Sequence, residues 1–147
     1  MHRFARSAAP LILAAAAAAA ALAGCGASPD APAPPPPARV VTGHHGTVSV
    51  VLTPLGARRV GIQTEVAART GQGGQAMVPY SALLYQADGS SVVYTVTGPL
   101  SYTLVTVGVA SIQSSQVYLT GLAPGTAVVT VGGEELLGVQ DGVGVQT

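Results

Sequence analysis

From Val40 onward, short runs of Val, Thr, Ile, Leu and Tyr are interrupted by Gly or Pro about every eight to twelve residues. This punctuation is typical of β-strands separated by turns, and it leaves little room for helices. The pattern therefore predicts an all-β domain, built as a small antiparallel barrel or sandwich. We expect strands at residues 47–52, 62–66, 76–79, 92–97, 102–109, 116–119, 126–131 and, as a short end, 143–146.

The strand pattern alternates most clearly in the middle of the chain. In residues 92–97, VVYTVT, Val92, Tyr94 and Val96 share one side of the strand, and the other three residues share the opposite side. Residues 126–131 alternate in the same way. Alternation of this kind predicts an antiparallel sheet with one buried face and one face in water.

Turn signals separate several of the runs. Residues 98–101, GPLS, predict a tight hairpin, and residues 87–90, ADGS, predict a turn in which glycine adopts a positive φ. One helical turn is expected at residues 53–60, because Thr53 can cap it, a proline follows the cap, and Gly61 can end it.

The first 24 residues have the organisation of an export signal. A short basic start is followed by a run of 14 apolar or small residues from Leu11 to Gly24. A membrane-spanning helix needs about 20 apolar residues, whereas the core of a signal peptide needs roughly 7 to 15. Residues 1–24 are therefore predicted to be a signal peptide.

The signal ends in Leu22-Ala23-Gly24-Cys25. This sequence resembles the lipobox of bacterial lipoproteins, in which small residues let the signal peptidase close on the backbone and the cysteine thiol accepts diacylglycerol. Cys25 is the only cysteine in the chain. We expect acylated Cys25 to hold the protein in membrane lipid on the extracytoplasmic side, since two or three acyl chains anchor stably. The alternative is an ordinary cleaved signal followed by a spectator cysteine.

A proline-rich segment follows the cysteine. Residues 26–38 read GASPDAPAPPPPA, and proline can neither vary φ nor donate a backbone hydrogen bond. Residues 25–39 are therefore predicted to be a lipidated linker in polyproline II conformation, reaching up to roughly 40 Å, which leaves residues 40–147 as a single β-domain. The alternative for this segment is a proline-rich ligand for a recognition module.

Charge excludes one class of partner. Beyond the signal there are four arginines and six acidic residues, and the chain has no lysine. A nucleic-acid-binding domain would show clustered Lys and Arg, so no nucleic-acid partner is expected.

Candidate catalytic groups are few. His44 and His45 are weak candidates for metal ligands, because adjacent strand residues point to opposite faces and a metal needs further ligands. Glu134 and Glu135 would be an acid and base pair only if they faced each other, and a solvated turn is the simpler interpretation. We expect no enzyme, no metal and no cofactor.

Two parts of the sequence carry a specific likeness to a known family. The first consists of residues 52–54, LTP, and 60–64, VGIQT. The second consists of residues 78–83, VPYSAL; 91–96, SVVYTV; 105–108, VTVG; and 119–129, LTGLAPGTAVV. These parts resemble the opening and closing parts, respectively, of periplasmic adaptor subunits of bacterial efflux pumps, also called membrane fusion proteins.

The resemblance also has a gap. Adaptors carry a lipoyl-like domain, a helical hairpin and a β-barrel between these two parts, but here only residues 67–75, AARTGQGGQ, separate them. The resemblance thus implies the membrane-proximal domain of an adaptor alone. It predicts a lipoprotein that is an accessory or remnant adaptor for a membrane transporter, with a resistance-nodulation-division (RND) or ABC permease as partner. The alternative is a stand-alone extracytoplasmic module that binds a small ligand or a cell-wall component.

Overall fold

The structure, a computed structural model, describes residues 34–71 and 73–142. Within them the chain forms strands with two short α-helices and two single 3-10 turns, at His44–Gly46 and Tyr80–Ala82. The strands and helices, in chain order, are β1 Ala38–Thr42, β2 Val48–Leu52, α1 Pro54–Val60, β3 Gln63–Val66, β4 Ala68–Arg69, β5 Ala76–Pro79, β6 Leu84–Tyr85, β7 Ser91–Gly98, β8 Ser101–Thr106, β9 Gly108–Gln113, β10 Gln116–Thr120, β11 Ala127–Val131 and α2 Gly133–Gln140.

The strands form two antiparallel sheets, which confirms the prediction of an all-β domain. The larger sheet has seven strands in the order β1-β2-β8-β7-β11-β3, with β6 also paired to β7, and the smaller has the order β4-β5-β10-β9. The chain passes from the larger sheet to the smaller at Ala67, between β3 and β4, and at Val107, between β8 and β9. Both residues are buried. Of the two expected architectures, the described residues form the sandwich.

Two hydrophobic cores lie on opposite faces of the larger sheet. The first joins the two sheets, with residues such as Val93 of β7 and Leu119 of β10. The second contains Tyr94 of β7 together with Val50 of β2 and Leu136 of α2. Successive residues of β7 therefore contribute to different cores, as the period of two requires.

The expectation of one wet face is wrong for the central strand. Val92, Val93 and Tyr94 are each 0% exposed. The reason is α2, whose Leu136 packs in the core on the side of the larger sheet away from the smaller sheet. The expected turn at Glu134 is likewise wrong, since it lies in the first turn of α2, although its side chain is exposed.

The local signals around α1 are confirmed. Thr53 precedes the helix in extended conformation, and its hydroxyl oxygen accepts a hydrogen bond from the Gly56 N–H at 3.0 Å. Gly61 ends the helix with φ of 68°, and its N–H donates to the carbonyl of Ala57 at 2.9 Å. The hydroxyl cap and the left-handed glycine satisfy backbone groups that the helix ends leave without partners.

The two expected turns are also present. Gly98 pairs with Ser101 across the β7–β8 hairpin, and Gly89 has φ of 84° in the other turn. In the hairpin, however, the positive φ of 54° belongs to Leu100. The Leu100 side chain packs against the second core and its carbonyl accepts a hydrogen bond from the Leu52 N–H at 2.9 Å, which holds this costly conformation.

Two strand boundaries differ from the sequence-based expectation. The first strand begins at Ala38, inside the segment predicted to be linker, and pairs Ala38 with Leu52 of β2. As an edge strand, β1 needs hydrogen bonds on one side only, so it can begin directly after a proline. The strand expected at 102–109 divides into β8 and β9 at Val107. The strand expected at 143–146 lies outside the described residues.

We predict that Leu136→Ala lowers the free energy of unfolding by about 2–5 kcal/mol, because it leaves a cavity between α2 and the larger sheet. Glu135→Gln is the matched control in the same helix, where the exposed side chain predicts a loss below about 1 kcal/mol. Urea unfolding followed by circular dichroism measures both. Equal stabilities for the two variants would show that α2 does not seal the second core.

Candidate functional site

The predicted lipidation site, Leu22, Ala23, Gly24 and Cys25, lies outside the described residues. The description begins at Pro34, within the predicted linker, and residues 34–37 are exposed. The structure therefore shows the point at which the predicted tether joins the domain.

That point, which we name the tether junction, consists of Pro37, Thr53 and Gly56. The Pro37 carbonyl oxygen accepts two hydrogen bonds from Thr53, one from its N–H at 2.9 Å and one from its hydroxyl at 3.1 Å. The same hydroxyl oxygen accepts from the Gly56 N–H. One threonine therefore caps α1 and attaches the incoming chain to it.

Gly56 completes the junction because it has no side chain. A Cβ atom at this position would overlap the Pro37 carbonyl oxygen, and Gly56 is itself buried. Glycine lowers helix propensity, so its place inside α1 is explained by this close approach of the backbone. No local signal in the sequence marks the contact, since Pro37 and Gly56 are far apart in the chain.

The structure brings together the two parts of the chain that carry the adaptor likeness. β3, from the opening part, pairs with β11, from the closing part, through Thr64 opposite Val129 and Glu65 opposite Val128. β2 pairs with β8 in the same sheet. Strands that include residues of both parts therefore lie in the larger sheet, while residues 78–79 and 119–120 of the closing part lie in the smaller sheet.

The short segment between those two parts, residues 67–75, contains paired strand and is not a loop throughout. It contains β4, which pairs with β5 through Ala68 opposite Met77, and the Thr70 N–H donates to the Gln75 carbonyl at 3.3 Å. Gly73 and Gly74 have φ of 59° and 74° at the tip. The segment is thus a hairpin whose exposed tip lies at one end of the smaller sheet.

Of the two histidines, the structure describes the surroundings of His44. His44 is exposed in a 3-10 turn, and its carbonyl accepts a hydrogen bond from the Thr47 hydroxyl at 3.2 Å. The described residues contain no cluster of three or more His, Cys, Asp or Glu side chains that could hold a metal ion.

Tyr94 supplies a polar contact that the sequence reasoning missed. Its hydroxyl donates to the Gln140 side-chain oxygen at 3.0 Å, which ties the end of α2 to the centre of the larger sheet. Burial raises the pKa of Tyr94, and the negative charge of Asp141 raises it further. The phenol therefore stays protonated and serves as a hydrogen-bond donor. Tyr80 and Tyr85, by contrast, are exposed.

A second missed feature is a group of hydroxyls on the larger sheet, which we name the hydroxyl cluster: Ser49, Thr97, Ser101 and Thr103. Thr103 contacts the Ser49 hydroxyl at 2.8 Å and the Thr97 hydroxyl at 2.9 Å. Ser and Thr are weak nucleophiles unless an adjacent base activates them, and these hydroxyls bond one another and the backbone. The cluster links three strands and is neutral, and Thr97 is its exposed member.

No helix among the described residues combines the length and hydropathy that a membrane span requires. Comparison with protein-family models gave no match. Searches of curated proteins and of solved structures also gave none.

We predict that Gly56→Ala releases the incoming chain from α1, because the added methyl group occupies the place of the Pro37 carbonyl. Amide exchange at Thr53, and in β1 directly after Pro37, should then accelerate at least tenfold. Gly71→Ala is the matched control, since Gly71 has no atom within 4 Å of the position of an added Cβ. Unchanged amide exchange rates in Gly56→Ala would show that Gly56 is not needed to hold Pro37 against α1.

Proposed function

We propose that this protein is an extracytoplasmic lipoprotein, anchored through Cys25, that acts without catalysis as an accessory or remnant adaptor for a membrane transporter of RND or ABC type. The observation that carries the proposal is the pairing of β3 with β11. It joins the two segments that resemble the beginning and end of efflux adaptors, and in such adaptors these segments together form the membrane-proximal domain.

The position of the gap supports the same proposal. The three domains missing from the likeness would lie between β3 and β5, where this chain has the β4–β5 hairpin. A hairpin tip tolerates long insertions or their loss, because few contacts depend on it. The remaining domain keeps both of its hydrophobic cores. A domain reduced in this way would keep a permease-facing surface but not the reach toward an outer-membrane channel.

The second candidate is a binding module for a neutral ligand, such as a cell-wall glycan. The hydroxyl cluster favours it, because its hydroxyls donate and accept hydrogen bonds without charge and Thr97 is exposed. The two candidates differ in the neighbour that the domain touches in the cell.

We predict that Cys25→Ala abolishes acylation, since no other thiol in the chain can accept the lipid. The variant should accumulate as unprocessed precursor or leave the membrane fraction. Membrane fractionation with salt and mild-detergent washes, together with mass measurement of the processed chain, detects both outcomes. If the variant stays bound through those washes as firmly as the wild type, the lipoprotein assignment is wrong.

We predict that in-cell photocrosslinking from exposed loops captures a permease. Suitable positions are Asp88 in a turn, Gln113 at the end of β9 and Ala123 before β11, which are all exposed. Gln140 is less suitable, since its side chain is engaged by Tyr94. Mass spectrometry of the crosslinked species identifies the neighbour.

The control for this experiment is the same set of probes in the Cys25→Ala chain. Anchoring in the membrane raises the effective concentration of the partner, so loss of the anchor should weaken permease capture. If the probes in every loop capture only peptidoglycan and lipid, the adaptor proposal is wrong and the binding module takes its place.

A further inference from the structure

Helix α1 presents an outward face that neither core uses. Leu55 is 55% exposed, and Arg58 and Arg59 are exposed as well. Residues three and four positions apart lie on one side of an α-helix, so these three side chains form a single surface, which we name the α1 face. The opposite side of the helix carries buried Gly56 and half-buried Ala57.

The chain that leads into α1 is basic in sequence, although α2, with exposed Glu134 and Glu135 in its first turn, begins beside Val60 at the end of α1. Arg39 of β1 is exposed two residues after the tether junction, and the described chain contains no acidic residue before Glu65. Among the described residues, no carboxylate forms an ion pair with Arg58 or Arg59. Three of the four arginines beyond the signal therefore lie in the strand and helix that meet at the junction, with their charges available to an anionic partner.

Helix stability alone does not account for this composition. Arginines in the last turn of a helix interact favourably with its macrodipole, which would explain Arg58 and Arg59. It explains neither Arg39, which lies on a strand, nor Leu55, which belongs to neither core. An apolar side chain flanked by arginines is the pattern of helices that lie in the headgroup region of a bilayer, where the leucine enters the boundary and the guanidinium groups bind phosphates.

The path of the chain brings a membrane to this face. The Pro37 carbonyl is bound to Thr53 at the start of α1, so the predicted tether leaves the domain beside this helix. From Cys25 to Pro37 the chain spans at most about 40 Å at about 3.1 Å per residue in polyproline II conformation. If Cys25 is anchored as proposed, a tether of this length keeps the start of α1 within about 40 Å of the bilayer.

We propose that the α1 face docks on anionic phospholipid, with Arg58 and Arg59 on lipid phosphates and Leu55 at the headgroup boundary. The inference rests on the proposed lipid anchor and deepens it, because it fixes which side of the domain faces the membrane. Each basic residue near an anionic surface strengthens membrane binding roughly fivefold. The α1 face alone therefore binds the membrane weakly, and it is effective only when a tether holds the domain nearby.

The test uses the full chain, purified in detergent and reconstituted into vesicles. Acylated Cys25 does not react with thiol probes, so Leu55→Cys offers a single site for an apolar, polarity-sensitive fluorophore. The vesicles contain phosphatidylcholine, with or without phosphatidylglycerol. We expect blue-shifted and stronger emission only with phosphatidylglycerol, and its reversal by high salt. Gln113→Cys, labelled in the same way at the end of β9, is the control position and should not respond.

The matched charge variant adds Arg58→Gln and Arg59→Gln to the labelled chain. We expect it to need about twenty-five-fold more vesicle lipid of the same phosphatidylglycerol content for the same response, which is the fivefold effect taken twice. Circular dichroism checks that this variant folds as the parent does.

The outcomes separate docking from anchoring, because the acyl chains on Cys25 are measured by mass in the same preparation. An acylated chain with equal emission in both kinds of vesicle, or with no response in either, overturns the docking face and leaves the anchor. Absence of a response in both kinds of vesicle would assign the α1 face to a protein partner. A response to phosphatidylglycerol in a chain without acyl groups keeps the docking face and removes the anchor.

Discussion

Burial of Val92, Val93 and Tyr94 of β7 is the constraint on which the rest of the structure depends. Three consecutive apolar side chains in a strand point to alternate faces, so both sides of the sheet must be covered to keep them from water. The smaller sheet covers one side, which requires the chain to cross between sheets at Ala67 and Val107. α2 covers the other side, and the Tyr94–Gln140 hydrogen bond holds the end of this helix in place. The positions of the two sheets and of the last helix thus follow from one strand.

The sequence predicts the features whose causes are local. Thr53, Pro54 and Gly61 predict α1 because cap, first turn and stop act within a few residues. Val92 and Tyr94 reveal a strand through their alternation, yet not the burial of its second face, because that depends on Leu136 far along the chain. α2 itself escapes recognition since Gly132, Gly133 and Gly138 disfavour a helix that only packing stabilises.

The candidate site likewise combines features that local sequence predicts with features that depend on long-range contacts. Cys25 is marked by the residues directly before it, whereas the tether junction depends on a contact between Pro37 and Gly56 that no pattern announces. The hydroxyl cluster could have been anticipated in part, because Thr97 and Thr103 follow the alternation of their strands. Its connection to Ser49 requires the pairing of β2 with β8, which is a matter of long-range register.

The tether junction also determines how the domain bears mechanical load. If Cys25 is anchored as we propose, a force that moves the domain away from the membrane enters it at Pro37. Such a force meets first the two hydrogen bonds from Thr53 to the Pro37 carbonyl and then the five residue pairs between β1 and β2. The junction thus stands between an external pull and the strands that enclose the two cores.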